Sequence, residues 1–244
     1  MPTNARFTMN YLRHTGTSGP EGAYVWSYDA STQYYEPASS YQWNSSGGGV
    51  SILHAGLGYY RVHFDQVLTN GGTVEVTAYG PGNAHCVALG WTTETADVGC
   101  FDGAGNKVDA QFTLNYSTKS PNNIPSYTYL WANQKSASNY QPRSDYEHGV
   151  IQSECGEITM ANATITRGGT GRYQVQLPGM ASISSSPSNV KITATSAASE
   201  TCKVVNWFAN GADAFVNVAC FNKYGVVIDA EYFMTFSSFA FTVC

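Results

Sequence analysis

Apolar and polar residues alternate along most of this chain. Tyr60-Arg61-Val62-His63-Phe64, Thr73-Val74-Glu75-Val76-Thr77-Ala78-Tyr79 and Gln111-Phe112-Thr113-Leu114-Asn115-Tyr116 each run with a period of two. So do Tyr173-Gln174-Val175-Gln176-Leu177, Val190-Lys191-Ile192-Thr193-Ala194 and Phe215-Val216-Asn217-Val218-Ala219. That period puts successive side chains on opposite faces of a β-strand. Turn-forming residues separate the runs: Asn70-Gly71-Gly72, Gly80-Pro81-Gly82-Asn83, Asp102-Gly103-Ala104-Gly105-Asn106 and Asn210-Gly211. Helix-period stretches are nearly absent. Many short strands at this rhythm predict an all-β fold of antiparallel sandwich or barrel type. Sequential hairpins favour a meander.

The strand pattern occurs twice. Phe7-Thr8-Met9-Asn10-Tyr11 returns as Phe112-Thr113-Leu114-Asn115-Tyr116. At the same spacing, Tyr24, Trp26, Tyr35, Pro37 and Tyr41 return as Tyr129, Trp131, Tyr140, Pro142 and Tyr146. Further on, Cys86, Trp91, Cys100, Phe101 and Asp109 return as Cys202, Trp207, Cys220, Phe221 and Asp229. Internal similarity of this length predicts two homologous units. Residues 1–119 form the first, with an N-terminal strand at 5–12. Residues 126–244 form the second, and 118–125 the linker. Tyr232–Phe236 is a third version of the phenylalanine strand, so one strand either belongs to a neighbouring repeat or closes a unit across the boundary. An unpaired edge invites aggregation, so each is expected to be used.

The duplication narrows the pairing of the six cysteines. Cys86 and Cys100 bracket Trp91 and a turn, and Cys202 and Cys220 bracket Trp207 in the same way. Two strands joined by a turn place such residues opposite one another, so Cys86–Cys100 and Cys202–Cys220 are the expected disulfides. Cys155 and Cys244 have no counterpart in the first copy and are expected to pair with each other. Three bridges point to an oxidising compartment. A metal site is not expected, because no Cys-x-x-Cys spacing occurs.

Composition refines the picture. Charged residues make up 12% of the chain, about half the usual share, and aromatics 14%, including 17 Tyr. Net charge is −5 with no basic run, which argues against electrostatic binding of nucleic acid. No apolar stretch has the ~20 residues of a membrane-spanning helix, so membrane insertion is not expected. The start, MPTNARFTMN, lacks the basic and apolar regions of a signal peptide.

Candidate chemistry centres on the aromatic segment. Flat rings stack on sugar rings while nearby amides bind hydroxyls. Residues that differ between the copies are the better candidates: Tyr28, Tyr34 and Trp43 stand where the second copy has Asn133, Asn139 and His148. Tyr35, Asn44, Tyr140 and Tyr146 complete the candidate ligand-binding set. Trp26, Trp131, Tyr24 and Tyr129, shared by both copies, are expected to fill the core. Asp109 and Asp229 are expected to accept backbone N–H groups of the preceding turn. The Asp102–Asn106 turn lacks the closing acid of a calcium loop, and its counterpart carries Lys223. His14, His54, His63, His85 and His148 are scattered, and no cofactor fingerprint occurs.

Several stretches resemble a repeat found in secreted proteins of actinobacteria and related bacteria. They are Tyr129-Leu130-Trp131-Ala132-Asn133-Gln134, Tyr140-Gln141-Pro142, Gly169-Thr170-Gly171-Arg172-Tyr173-Gln174-Val175, Val74–Gly80 and Val98-Gly99-Cys100-Phe101-Asp102 with Gly105. The resemblance implies export, tandem β units and extracellular residence, and it carries over no catalytic residue. The leading expectation is a secreted, non-catalytic module binding a polysaccharide or cell-surface glycan. A structural or adhesive repeat is the first alternative, and a protease inhibitor or secreted hydrolase the second.

Overall fold

The computed structural model describes residues 22–69, 71–118, 126–153, 156–181 and 188–238. It is all-β. The first half supplies β1 (Gly22–Ser27), β2 (Tyr34–Tyr35), β3 (Gln42–Asn44), β4 (Val50–Gly56), β5 (Tyr59–Phe64), β6 (Thr73–Tyr79), β7 (His85–Trp91), β8 (Thr95–Phe101) and β9 (Gln111–Ser117). The second half supplies β10 (Ser126–Ala132), β11 (Asn139–Tyr140), β12 (Glu147–Ser153), β13 (Gly156–Thr159), β14 (Thr164–Gly169), β15 (Arg172–Leu177), β16 (Ser188–Thr195), β17 (Thr201–Asn210), β18 (Asp213–Phe221) and β19 (Glu231–Ser238). One-turn 3-10 segments at Ser39–Tyr41 and Ser144–Tyr146 occupy equivalent places.

These strands form three sheets, ordered β3-β1-β9-β6, β13-β12-β10-β19-β16-β7-β8-β5-β4-β2 and β11-β14-β15-β18-β17. None closes into a barrel. The expected meander is not what forms. β9 lies between β1 and β6, and β19 lies between β10 and β16. The last strand of each half therefore pairs with the first, a long-range choice that local turn signals do not encode. The halves share the ten-stranded sheet through one parallel bridge, Thr195 to Ala88.

Alternation in the first half does what the pattern predicts. Ala23 and Val25 of β1, Val74 and Val76 of β6, and Phe112, Leu114 and Tyr116 of β9 point inward. They join Ile52, Tyr60, Val62, Phe64 and Val98 of the ten-stranded sheet in one buried cluster. A second cluster joins Leu130, Met234 and Phe236 to Ile165, Val175, Leu177 and Val216. In β10 and β19 the alternation of exposure disappears. All residues of β10 but Trp131 are buried, and all of β19 but Glu231. Their second face is covered by the first half. Phe233 reaches across and belongs to the first half's cluster.

Two disulfides staple neighbouring strands, Cys86–Cys100 between β7 and β8 and Cys202–Cys220 between β17 and β18. Both are the expected pairs. Cys155, Cys244, the Phe7–Tyr11 strand and all but Thr118 of the linker lie outside the described residues.

Asp109 and Asp229 hold the same fold point in each half. Asp109 Oδ1 accepts the Gly58 N–H at 2.7 Å, and Asp229 Oδ1 accepts the Gly171 N–H at 2.7 Å. The donors lie at the tips of the β4–β5 and β14–β15 hairpins, not in the preceding turn. Both glycines are left-handed, with φ of 61° and 63°. A Cβ on Gly58 would sit 2.5 Å from the Cys100 carbonyl oxygen, and one on Gly171 2.7 Å from the Ile228 nitrogen. Only glycine fits either tip.

Candidate functional site

The outer face of the four-stranded sheet carries the densest group of partly exposed rings among the described residues. Along β1 the inward positions hold Ala23, Val25 and Ser27, which leaves Tyr24 and Trp26 pointing outward. Register aligns Tyr24 with Trp43 on β3 and with Asn115 on β9, and Trp26 with Thr113. β6 extends these rows with Glu75 and Thr77, and ends at Tyr79. Tyr28 and Tyr41 enter the same face from the flanking loops.

Trp26 is the hub. Its ring lies 4.6 Å from Tyr41 and 6.1 Å from Tyr28, both edge-on, and 5.0 Å from Tyr79. Tyr24 and Trp43 are nearly parallel, with centroids 6.2 Å apart. Edge-to-face and offset contacts are the favoured aromatic geometries, worth about 0.5–1.5 kcal/mol each beyond area burial. Tyr24 and Tyr41 remain 38% exposed and Tyr79 54%. Thr113 and Thr77 are exposed between them. The Trp26 Nε1–H is buried without a hydrogen-bond acceptor.

The second half has the same constellation, and there it is covered. Trp131 packs edge-on against Tyr146 at 4.7 Å, as Trp26 does against Tyr41. Phe233 replaces Thr113, 5.5 Å from Trp131. Trp91 of the first half closes over the group, 4.9 Å from Phe233, 6.4 Å from Trp131 and 6.3 Å from Tyr146. Polar contacts frame this lid. Tyr127 Oη and Ser117 Oγ are 2.9 Å apart. Glu75 receives hydrogen bonds from Lys191 Nζ and, at 2.6 Å, from Thr235 Oγ1. The Val76 N–H donates to Thr193 Oγ1 at 3.4 Å. Burial pushes the Tyr129 phenol up to about 12. The rings of β10 are thus a filled joint between the halves, while those of β1 keep a solvent-facing side.

The expected ligand-binding residues divide accordingly. Tyr28 and Trp43 lie on the aromatic face. Tyr34 is exposed, but on β2 at the far end of the ten-stranded sheet, away from Trp43. Tyr35 packs against the core, and its hydroxyl is 3.0 Å from Ser27 Oγ and accepts the Asp29 N–H. Asn44 is buried: Nδ2 donates to the Asp65 carbonyl at 2.8 Å and Oδ1 accepts from Ser46. It ties down the Gly47–Gly49 loop. Tyr140 packs on the second cluster and accepts the Gln134 N–H. Tyr146 sits in the covered joint beneath the Arg143 guanidinium, 5.1 Å away. The rings missed were Tyr24, Trp26, Tyr41 and Tyr79. Trp26 and Tyr24, expected in the core, are on the outer face because they fall in the opposite phase from Ala23 and Val25. That phase was the available signal.

Two histidines lie beside carboxylates. His54 Nε2 lies 2.8 Å from Asp109 Oδ1, the atom that also anchors Gly58. In the second half Arg167 takes the place of His54 on Asp229 and holds that carboxyl below its usual range. Either side chain can serve there, so the contact braces a hairpin. His63 Nδ1 faces Asp65 at 3.2 Å on the surface. The Asp102 carboxylate is occupied by its own turn, accepting the Ala104 and Asn106 N–H groups. No helix among the described residues is long and apolar enough to cross a membrane. Against this geometry, no family model, no curated protein and no solved structure matches the chain.

Proposed function

We propose that this chain is a pair of tandem β-sandwich units from a secreted, non-catalytic structural repeat protein, working by surface contact through the aromatic outer face of its first sheet. The observation that carries the reading is the covered joint. The face built around Trp131 and Tyr146 is a protein-contact surface, and the face around Trp26 and Tyr41 is its repeat equivalent. Two disulfides and low charge suit an extracellular setting.

Glycan binding is the second reading. It rests on the near-parallel rings of Tyr24 and Trp43, with Asn115 beside Tyr24 in register. Hydroxyl-radical footprinting separates the two. Protection of Tyr41 and Tyr79 that rises with protein concentration, while Tyr224 stays modified, is the expected result. Protection at low protein concentration by a member of a neutral polysaccharide panel, lost in Trp43→Ala, would favour glycan binding. Unchanged modification throughout would overturn the aromatic face as the working surface.

A further inference from the structure

Resting on that reading, we infer that the first sheet's aromatic face receives the β16–β17 end of a second copy of this chain, head to tail, as the second half receives the first. The joint inside the molecule has two sides. One is the outer face of β10, β19 and β16. The other is the end of the first half: the edge of β6, the open side of β7, and Trp91. Each side has a repeat equivalent elsewhere in the chain. The outer face of β1, β9 and β6 matches the first. The end formed by β16, β17 and Trp207 matches the second.

That end is open among the described residues. β17 is the last strand of its sheet. Its equivalent, β7, is bridged by β16 and has Val87 and Ala88 buried. On β17, Val205 is 57% exposed and Phe208 40%. Trp207 is held like Trp91: its Nε1–H donates to Ser188 Oγ at 2.8 Å, as that of Trp91 donates to the Thr69 carbonyl at 2.9 Å. An unpaired strand edge with exposed apolar side chains is a ready template for another strand. Transferring the internal joint would set Tyr79 of the incoming copy, the equivalent of Thr195, beside Val204. Trp207 would then cover the Trp26–Tyr41 pair, as Trp91 covers Trp131 and Tyr146.

The sequence ahead of the two halves also corresponds. Phe7–Tyr11 precedes β1 at the spacing with which Phe112–Tyr116 precedes β10. Two differences make this contact weaker than the internal one. Thr113 stands where Phe233 fills the joint, and exposed Lys203 stands where Val87 is buried. The association is therefore reversible and favoured by high concentration. The contact is heterologous and does not close on itself, so it yields open chains of copies.

Complementation tests it, using the intact protein with Tyr79→Arg (face blocked) and Val205→Arg (end blocked), both at exposed positions. In sedimentation across concentration the parent protein should grow beyond dimers and each variant should stay monomeric. An equimolar mixture of the two should stop at a dimer, because each brings the surface the other lacks. If Tyr79→Arg blocks association and Val205→Arg does not, the face docks on something other than this end, and the inference fails while the contact face stands. Association unaffected by both variants, or a monomeric parent at every concentration, overturns the inference outright.

Discussion

At the scale of single residues, Glu147 is the half-buried acid with the clearest consequence. Its Oε1 accepts the Ala163 N–H at 2.5 Å, and Oε2 is buried without a hydrogen-bond partner. Burial pushes its carboxyl up to about 7, against the pull of the Ala163 N–H. The unfolded chain has an ordinary carboxyl, so below about pH 4.5 both states are protonated and the contribution of this group is intact. As pH rises the unfolded state releases its proton first, and stability declines until the folded carboxyl ionises near 7. Glu147→Gln should remove this part of the decline. The difference is on the order of 1 kcal/mol by pH 8, after allowance for partial exposure. Urea unfolding of both proteins at pH 4.5 and pH 8 measures it, and equal pH slopes would refute it. None of this was legible in the sequence, where Glu147 stands at the start of an ordinary polar stretch. The fate of Asn44 was equally hidden, because an amide that holds a loop and one that binds a ligand look alike until Asp65 and Ser46 are seen beside it.

Strands were more legible than residues. Every alternating run named from the sequence falls wholly or largely within a strand, since burying one face of a pleated strand demands that period. The cross-strand cysteines followed from the duplication. Each disulfide closes a short loop, and the chain-entropy argument assigns roughly 3 kcal/mol to a loop of such length. Replacing Cys202 and Cys220 by Ser should therefore lower stability by about 2–4 kcal/mol in denaturant titration. It should also raise amide exchange in β17 more than in β15, because among the described residues β17 pairs with one strand and β15 with two. Equal exchange in both strands would contradict that picture. Strand order was not legible. Pairing β9 between β1 and β6 depends on contacts far apart in sequence, and the hairpin signals that predicted a meander report only neighbours. Nor was the double burial of β10 and β19, whose tyrosines, tryptophan and phenylalanine suit a strand covered on both faces only once the first half is in place.

Across the whole molecule, the halves are bound by more than their shared sheet. Phe233 of β19 lies in the buried cluster of the first half, and Glu75 of β6 is held by Lys191 and Thr235. Phe233→Ala should cost about 3–5 kcal/mol, the usual range for emptying a buried phenylalanine site. It should loosen β6 and β7 as well as β19. Hydrogen exchange that quickens only in the second half would show that the clusters are energetically separate. The sequence shows that the two halves are similar, yet the joint between them rests on positions where they differ: Phe233 for Thr113 and Lys191 for Glu75. The position of Phe233 also bears on biosynthesis. A chain leaving the ribosome presents residues 22–118 long before residue 233, so the first half waits with a gap in its core and its Trp91 uncovered. It reaches its final packing only once residue 233 has left the ribosome as well.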